Sequence, residues 1–392
     1  MPPDRDPVPE RSPHAVLASR VFDGRRWHND AAVLIEDGRI RGLAPWGEVP
    51  DGWPRQQLPD GAMLAPGFID LQINGGGGVL LNDDPSPEAM RAVARAHRRY
   101  GVTACLPTMI TDSRQQTQAA IAAARAAAGS SGVLGVHLEG PFISPARPGI
   151  HRPDHIAVPY LSDLDWLADL AGAGRSMVTL APERLPDGFV KRLADAGIRV
   201  SAGHSEASAE VMLRAVDDGL TGVTHLFNAM PPFAGRAPGI AGAAFAEPRL
   251  IAGIIVDGIH VDPVSVRAAF AAKGADGMML VSDAMPSVGA SVGAFDLMGR
   301  MISLHDGRLT GADGTLAGAH LDMASAVRNA VNLAKLPPED ALRAASLTPA
   351  AFLGLEHERG VLTGGARADM VALTGELQVT GVWMGGTAER EG

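Results

Sequence analysis

The stretch Val133-Leu134-Gly135-Val136-His137-Leu138-Glu139-Gly140-Pro141 decides how the rest of the chain is read. A short apolar run of strand character carries first His137 and then Glu139. Gly140-Pro141 ends it, because proline cannot donate to a β-ladder. Residues two apart lie on the same face of a strand, so His137 and Glu139 share a face at its C-terminal end. In a parallel α/β barrel that end builds the active site. Alone, the pattern is also satisfied by a solvated or salt-bridged carboxylate. Its recurrence further along the chain gives it weight.

Outward from this stretch, strands alternate with helices. Strands are expected over 64–73, 103–108, 133–139, 177–182, 198–204, 222–226, 252–257 and 278–283. Helices are expected over Pro87–Arg99, Gln115–Ala128, Pro186–Ala196 and Pro263–Ala272. Eight such strand units read as a (β/α)8 TIM-type barrel over residues 63–357. The alternative is a doubly wound open sheet, but Gly75–Gly78 lacks the G-x-G-x-x-G spacing that would open a dinucleotide-binding helix. That glycine run reads as a turn beside the site. A hairpin is expected over 296–316, a helix over 320–334, and two short helices up to 354.

The two ends of the chain have a different texture. Residues 15–62 hold short alternating runs with Asp-Gly turns at 23–24 and 37–38, which are hairpin signals. Residues 358–392 repeat that texture, so both ends together are expected to form one small β-sandwich domain. Residues 1–14 open with a proline-rich, charged segment and read as a flexible arm.

Composition narrows the function. Among 392 residues, 46% are apolar, enough for a large core, and the net charge of -10 disfavours nucleic acid as a partner. The single cysteine, Cys105, excludes an intrachain disulfide and a cysteine-rich zinc site, and suits a reducing cytoplasm. No stretch reaches the roughly 20 apolar residues of a membrane span, and the N-terminus lacks the basic-then-apolar pattern of a secretory signal.

Four more expected strands end in ligating or proton-moving groups: Gly203-His204-Ser205, Thr224-His225-Leu226-Phe227-Asn228-Ala229, Asp257-Gly258-Ile259-His260 and Ser282-Asp283-Ala284. Any one of these histidines could be a hydrogen-bonded rim residue, and Asp283 alone could cap the next segment. Convergence on one barrel axis is what singles them out. A catalytic zinc keeps three protein ligands and one open position, and Glu139, His204 and His225 meet that count. The same donors accept iron, cobalt or manganese.

With these motifs in view, the sequence resembles the N-acetylglucosamine-6-phosphate deacetylases of the amidohydrolase superfamily, from about residue 15 to 385. The resemblance rests on Pro66-Gly-Phe-Ile-Asp70, His137-Leu-Glu139-Gly-Pro141, the four strand ends above, Gly314-Thr-Leu-Ala-Gly318, Ala344-Ala-Ser-Leu-Thr348-Pro349 and Gly365-Ala-Arg-Ala-Asp369, in that order. It implies metal-dependent hydrolysis of the acetamide of N-acetyl-D-glucosamine 6-phosphate. It implies one divalent ion per chain, zinc foremost, on Glu139, His204 and His225, with Asp283 as the proton-transferring carboxylate and His151 polarising the carbonyl. It implies phosphate binding by Asn228-Ala229, His260 and Arg236, and a homodimer in which Arg236 reaches the neighbouring subunit's site. It leaves open the galactosamine epimer, another amide substrate, or a scaffold that has lost catalysis, though the retained acidic and histidine groups argue against the last.

One departure from the wider superfamily stands out. Where many members carry His-x-His for a second metal, this chain has Gln72-Ile73-Asn74. Amides are poor metal ligands, and the only lysines, Lys191, Lys273 and Lys335, fall on expected helices or their ends. A single metal is therefore expected, with Gln72 and Asn74 hydrogen-bonding water or substrate.

Overall fold

The structure, a computed structural model, describes residues 12–389. Most of the expected arm over 1–14 lies outside the described residues, but His14 already begins the first strand, His14–Phe22.

Eight parallel strands form the central sheet, in sequence order: Phe68–Ile73, Val102–Ile110, His137–Glu139, Met177–Leu180, Arg199–Ala202, Gly222–Val223, Ile251–Ile254 and Met278–Leu280. The sheet closes just past its last strand. Asp283 N–H donates to the Gln72 carbonyl at 2.9 Å and Asn74 N–H to the Ala284 carbonyl at 2.9 Å, which joins the eighth strand's extension to the first. This is the expected barrel.

The helices follow from their local chemistry. Pro87–Arg98 starts at Ser86, whose hydroxyl accepts from Ala89 N–H, with proline in the first helical position. Its buried residues Met90, Val93, Ala94 and His97 recur at the three-and-four spacing of one helical face. Ser113 and Asp262 cap Arg114–Ala127 and Pro263–Lys273 in the same way. The expected helix from 186 is shorter, Phe189–Asp195, and starts after Gly188 in a left-handed conformation. The hairpin region holds three antiparallel strands, Ala294–Leu297, Arg300–His305 and Arg308–Thr310. Helices Met323–Asn332, Pro338–Ala344 and Leu347–Phe352 follow as expected. Phe352 and Leu353 pack on Ile69, Leu71, Leu106, Met177 and Met279 of the strands.

Both chain ends join one sheet, in the order Thr387–Ala388, Val379–Met384, Met370–Leu373, Met63–Pro66, His14–Phe22, Trp27–Glu36 and Arg39–Pro45, with Arg55–Gln57 also on His14–Phe22. Val16 and Ala18 face one buried cluster, whereas Ala15 and Leu17 face another, so the strand alternation fills two apolar layers. Two differences from the sequence reading appear. The sheet is mixed, since His14–Phe22 runs parallel to both Met63–Pro66 and Arg55–Gln57. The single strand expected over 64–73 is two strands: Met63–Pro66 belongs to the end-derived sheet and Phe68–Ile73 to the barrel. The switch falls at Pro66-Gly67. A Cβ on Gly67 would lie 2.3 Å from the Thr103 side chain, so only glycine fits the crossing.

Candidate active site

The site lies at the C-terminal ends of the barrel strands. Glu139 ends the third strand. His204, His225 and Asp283 sit just beyond the fifth, sixth and eighth, all with positive φ (48°, 32° and 50°). These are sparsely populated conformations for non-glycine residues, held only where the surroundings over-determine them. Gly203 is one such constraint: a Cβ there would come within 2.7 Å of Thr179 Cγ2 and 2.9 Å of Thr224 Cβ. Beneath the site lies a layer of hydroxyls. Thr179 bonds Thr224 at 2.7 Å, Ser201 bonds Thr224 at 2.7 Å, and His137 Nε2 bonds Thr179 at 2.7 Å. His137 thus serves the floor of the site, and burial pushes its pKa down to about 4.

Three ligating atoms converge above that floor. Glu139 Oε1 is 3.1 Å from His204 Nε2 and 2.9 Å from His225 Nε2, and the two nitrogens are 3.1 Å apart. Burial works to raise the Glu139 pKa, but the bonds to His204 and His225 outweigh it and hold the carboxylate well below its usual range. His204 Nδ1 bonds the Arg147 carbonyl at 2.8 Å. A carbonyl only accepts, so Nδ1 carries the ring proton and Nε2 presents a lone pair. A metal-ligating histidine needs this outer-shell arrangement. The donor set therefore fits a divalent ion.

His151 offers a second grouping, because one ligating atom each from Glu139, His151 and His204 lie within 4.8 Å of one another. Glu139, His204 and His225 form the other set, with spacings of 2.9–3.1 Å. His151 Nδ1 is held by Thr111, 3.3 Å from its N–H and 2.8 Å from its hydroxyl. Burial, with His204 next in effect, holds the His151 pKa well below its ordinary value, so the ring is neutral.

Asp283 is fixed from the first strand. Asn74 Nδ2 donates to its Oδ1 at 2.6 Å and Gln72 Nε2 donates at 3.2 Å. Gln72 Nε2 also reaches both Glu139 oxygens at 3.3 Å. Burial, and then the Glu139 charge, push the Asp283 pKa up to about 6. Gln72 thus ties the two carboxylates together, and Asn74 adds a second amide bond to Asp283.

These residues open on a cavity of about 380 Å³. Asn74, Glu139, His151, His204, His225, Asn228, Ala229, His260 and Asp283 all line it, so most of the residues singled out in the sequence meet there. Two do not. Gln72, expected to bond water or substrate, is 2% exposed and its amide is taken up by Glu139 and Asp283. Arg236 lies on an exposed loop and does not line this cavity of its own chain. Three contributors escaped the sequence reading. Thr111 and the Arg147 carbonyl orient His151 and His204. Asp70, fully buried, accepts from the N–H groups of Gln72 (3.1 Å) and Ser282 (3.3 Å) at the barrel seam. Asp70 lay inside a quoted motif; the backbone carbonyl of Arg147 carries no sequence signal at all.

The chain is similar to known proteins in sequence and in fold. The amidohydrolase family model matches residues 63–388. The chain is 40% identical over 362 residues to an N-acetylgalactosamine-6-phosphate deacetylase of Shewanella sp., covering 91% of this chain and 90% of that protein. It is 34% identical to the N-acetylglucosamine-6-phosphate deacetylase of Haemophilus influenzae, covering 91% and 94%. The crystal structure of N-acetylglucosamine-6-phosphate deacetylase from Pasteurella multocida superposes with a TM-score of 0.92 at 32% identity, covering 97% of this chain and all of that one. The chain belongs to the amidohydrolase family.

Proposed function

We propose that this protein hydrolyses the acetamide of N-acetyl-D-glucosamine 6-phosphate, giving D-glucosamine 6-phosphate and acetate with one divalent ion per chain. The observation that carries this is the meeting of Asp283 with the Glu139–His204–His225 cluster in one cavity. An ion held by those three ligands supplies Lewis acidity and lowers the pKa of water to about 7. Zinc suits the ligand set best, and iron, cobalt and manganese share its chemistry.

The chain's own groups account for the proton movements. Asp283, oriented by Asn74, takes a proton from the attacking water and delivers it to the departing nitrogen, so the sugar leaves as an amine. His151 Nε2–H donates to the acetyl oxygen as negative charge gathers there. Of the other cavity-lining groups, His260 and the Asn228-Ala229 backbone receive the phosphate. Arg236, exposed on its Pro/Gly-rich loop, serves a second copy in this reading, and the working unit is a homodimer. One cysteine, Cys105, buried and unpaired, suits the reducing cytoplasm.

A second reading replaces the substrate by its C4 epimer, N-acetyl-D-galactosamine 6-phosphate, and is favoured by the Shewanella relative. Acetate release from both phosphosugars, measured beside metal content before and after chelation, tests the proposal. Activity on a phosphorylated N-acetylhexosamine should vanish on chelation and return fully at one ion per chain. Full activity only at two ions would overturn the single-site reading; activity without metal would overturn the mechanism.

A further inference from the structure

His260 lines the cavity, yet it lies six residues beyond the seventh strand, where a loop alone would leave the ring free to turn. Asp257 prevents that. Its Oδ1 accepts from the backbone N–H groups of Ile259 and His260, both at 2.8 Å, and fixes the turn. Its Oδ2 lies 2.6 Å from His260 Nδ1. Both side chains are 8% exposed, so the pair is shielded from water. Burial works to raise the Asp257 pKa, but the contact with His260 and the backbone N–H bonds outweigh it and keep the group ionised.

The protonation pattern follows from the partners. An ionised carboxylate only accepts, so His260 Nδ1 carries a proton. His260 lines the cavity, and with Nδ1 tied to Asp257 the nitrogen left for a ligand is Nε2. Nε2 can donate to an anion only when it too carries a proton, which makes the ring an imidazolium. That cation is then held between Asp257 on one side and the anion on the other. Asp283, which lines the same cavity, also feels the charge of His260.

We propose that Asp257 is a positioning residue for phosphate recognition: it aims His260 Nε2 at the substrate phosphate and balances the charge the ring carries there. The inference rests on the reading that His260 receives the phosphate.

Asp257→Asn separates the charge on the pair from aiming and loop capping, both of which it keeps. The Asn oxygen still accepts from Ile259 and His260 N–H, which turns its NH₂ toward His260 Nδ1. The ring is then held with a proton on Nε2 but without charge. A charged hydrogen bond becomes a neutral one, a loss of about tenfold in affinity. The readout is the ratio of kcat/KM for N-acetylglucosamine 6-phosphate to that for N-acetylglucosamine, with ¹⁵N NMR of the His260 ring. In Asp257→Asn the ratio should fall about tenfold, through KM rather than kcat, and the ring should lose its Nδ1 proton. His260→Gln is the companion variant. If His260→Gln removes the phosphate preference and Asp257→Asn leaves it intact, the charge that Asp257 balances does nothing for phosphate recognition, and the inference is overturned although His260 does bind phosphate. If His260→Gln leaves the preference intact, the phosphate reading of His260 itself fails. An equal loss on both sugars in Asp257→Asn would mark a purely structural role and overturn the inference. Should that variant not fold, Asp257→Ser, which keeps a capping oxygen but places no acceptor at Nδ1, is judged by the same ratio.

Discussion

Gly203→Ala adds one methyl group beside the Glu139–His204–His225 cluster and changes no polar group. Its carbon would sit 2.7 Å from Thr179 Cγ2 and 2.9 Å from Thr224 Cβ, whereas carbon atoms pack at about 3.5–4.0 Å. The strand must therefore yield by about 1 Å. Neither threonine can step aside freely, because the two are buried and bonded to each other at 2.7 Å, and Thr179 also holds His137. Forcing a methyl group into such packing costs about 1–3 kcal/mol. The displacement falls on His204, the next residue, whose Nε2 belongs to a cluster with spacings of 2.9–3.1 Å. A misplacement of 1 Å at a reacting centre costs about 10²-fold in rate. We expect Gly203→Ala to melt a few degrees lower, to bind its metal more weakly by about 10–100-fold, and to lose about 10²-fold in acetate release. Gly47→Ala is the control, since a Cβ there meets nothing within 4 Å. Metal titration, thermal melting and turnover should leave the control within error of the parent chain. Unchanged metal affinity and turnover in Gly203→Ala would refute the argument that the threonine layer fixes His204.

Three further outcomes are expected. Asp283→Asn should keep fold and metal but lose about 10²–10⁴-fold in deacetylation; near-normal turnover would remove Asp283 from the mechanism. Arg236→Ala should raise KM for the phosphorylated substrate far more than for N-acetylglucosamine, and sedimentation should show a dimer, so a fully active monomer would contradict the shared site. Asp70 is fully buried, and burial pushes its pKa up to about 7, against 3.8 ordinarily. The folded chain thus keeps a proton that the unfolded chain releases, and the stability gained from neutral Asp70 is complete below about pH 4 and lost as the pH rises through about 7. Asp70→Asn, always neutral, should therefore gain on the parent chain between pH 5 and pH 8, by at most about 4 kcal/mol for a shift of about three units. Denaturant midpoints that differ equally at both pH values would discount the buried charge.

The barrel was legible because its strands and helices differ in period, and because proline, glycine and capping residues mark most boundaries. Glu139, His204, His225 and Asp283 were legible because each closes a strand, and strand ends of one barrel must converge. What sequence could not show were contacts made through the backbone, such as the Arg147 carbonyl on His204 Nδ1 and the Gln72 carbonyl on Asp283 N–H. The split of residues 64–73 was hidden for a related reason: both halves are buried and apolar around Asp70 and Gln72, and only pairing partners distinguish them. Sequence assigns Gln72 to water or substrate because it cannot show the crossing bonds to Glu139 and Asp283, which join residues 67 and 211 positions apart.

The interleaving of both chain ends in one sheet sets the timing of biosynthesis. Met63–Pro66 pairs with Met370–Leu373, yet a ribosome adding about 5–20 residues per second needs about 15–60 s to make the chain between them. Throughout that interval one edge of Met63–Pro66 has no partner, directly ahead of the first barrel strand. An unpaired apolar edge invites wrong pairing with other nascent chains, so the newborn protein is most vulnerable to aggregation just before release, and loss of its last strands by premature termination would leave that edge permanently open.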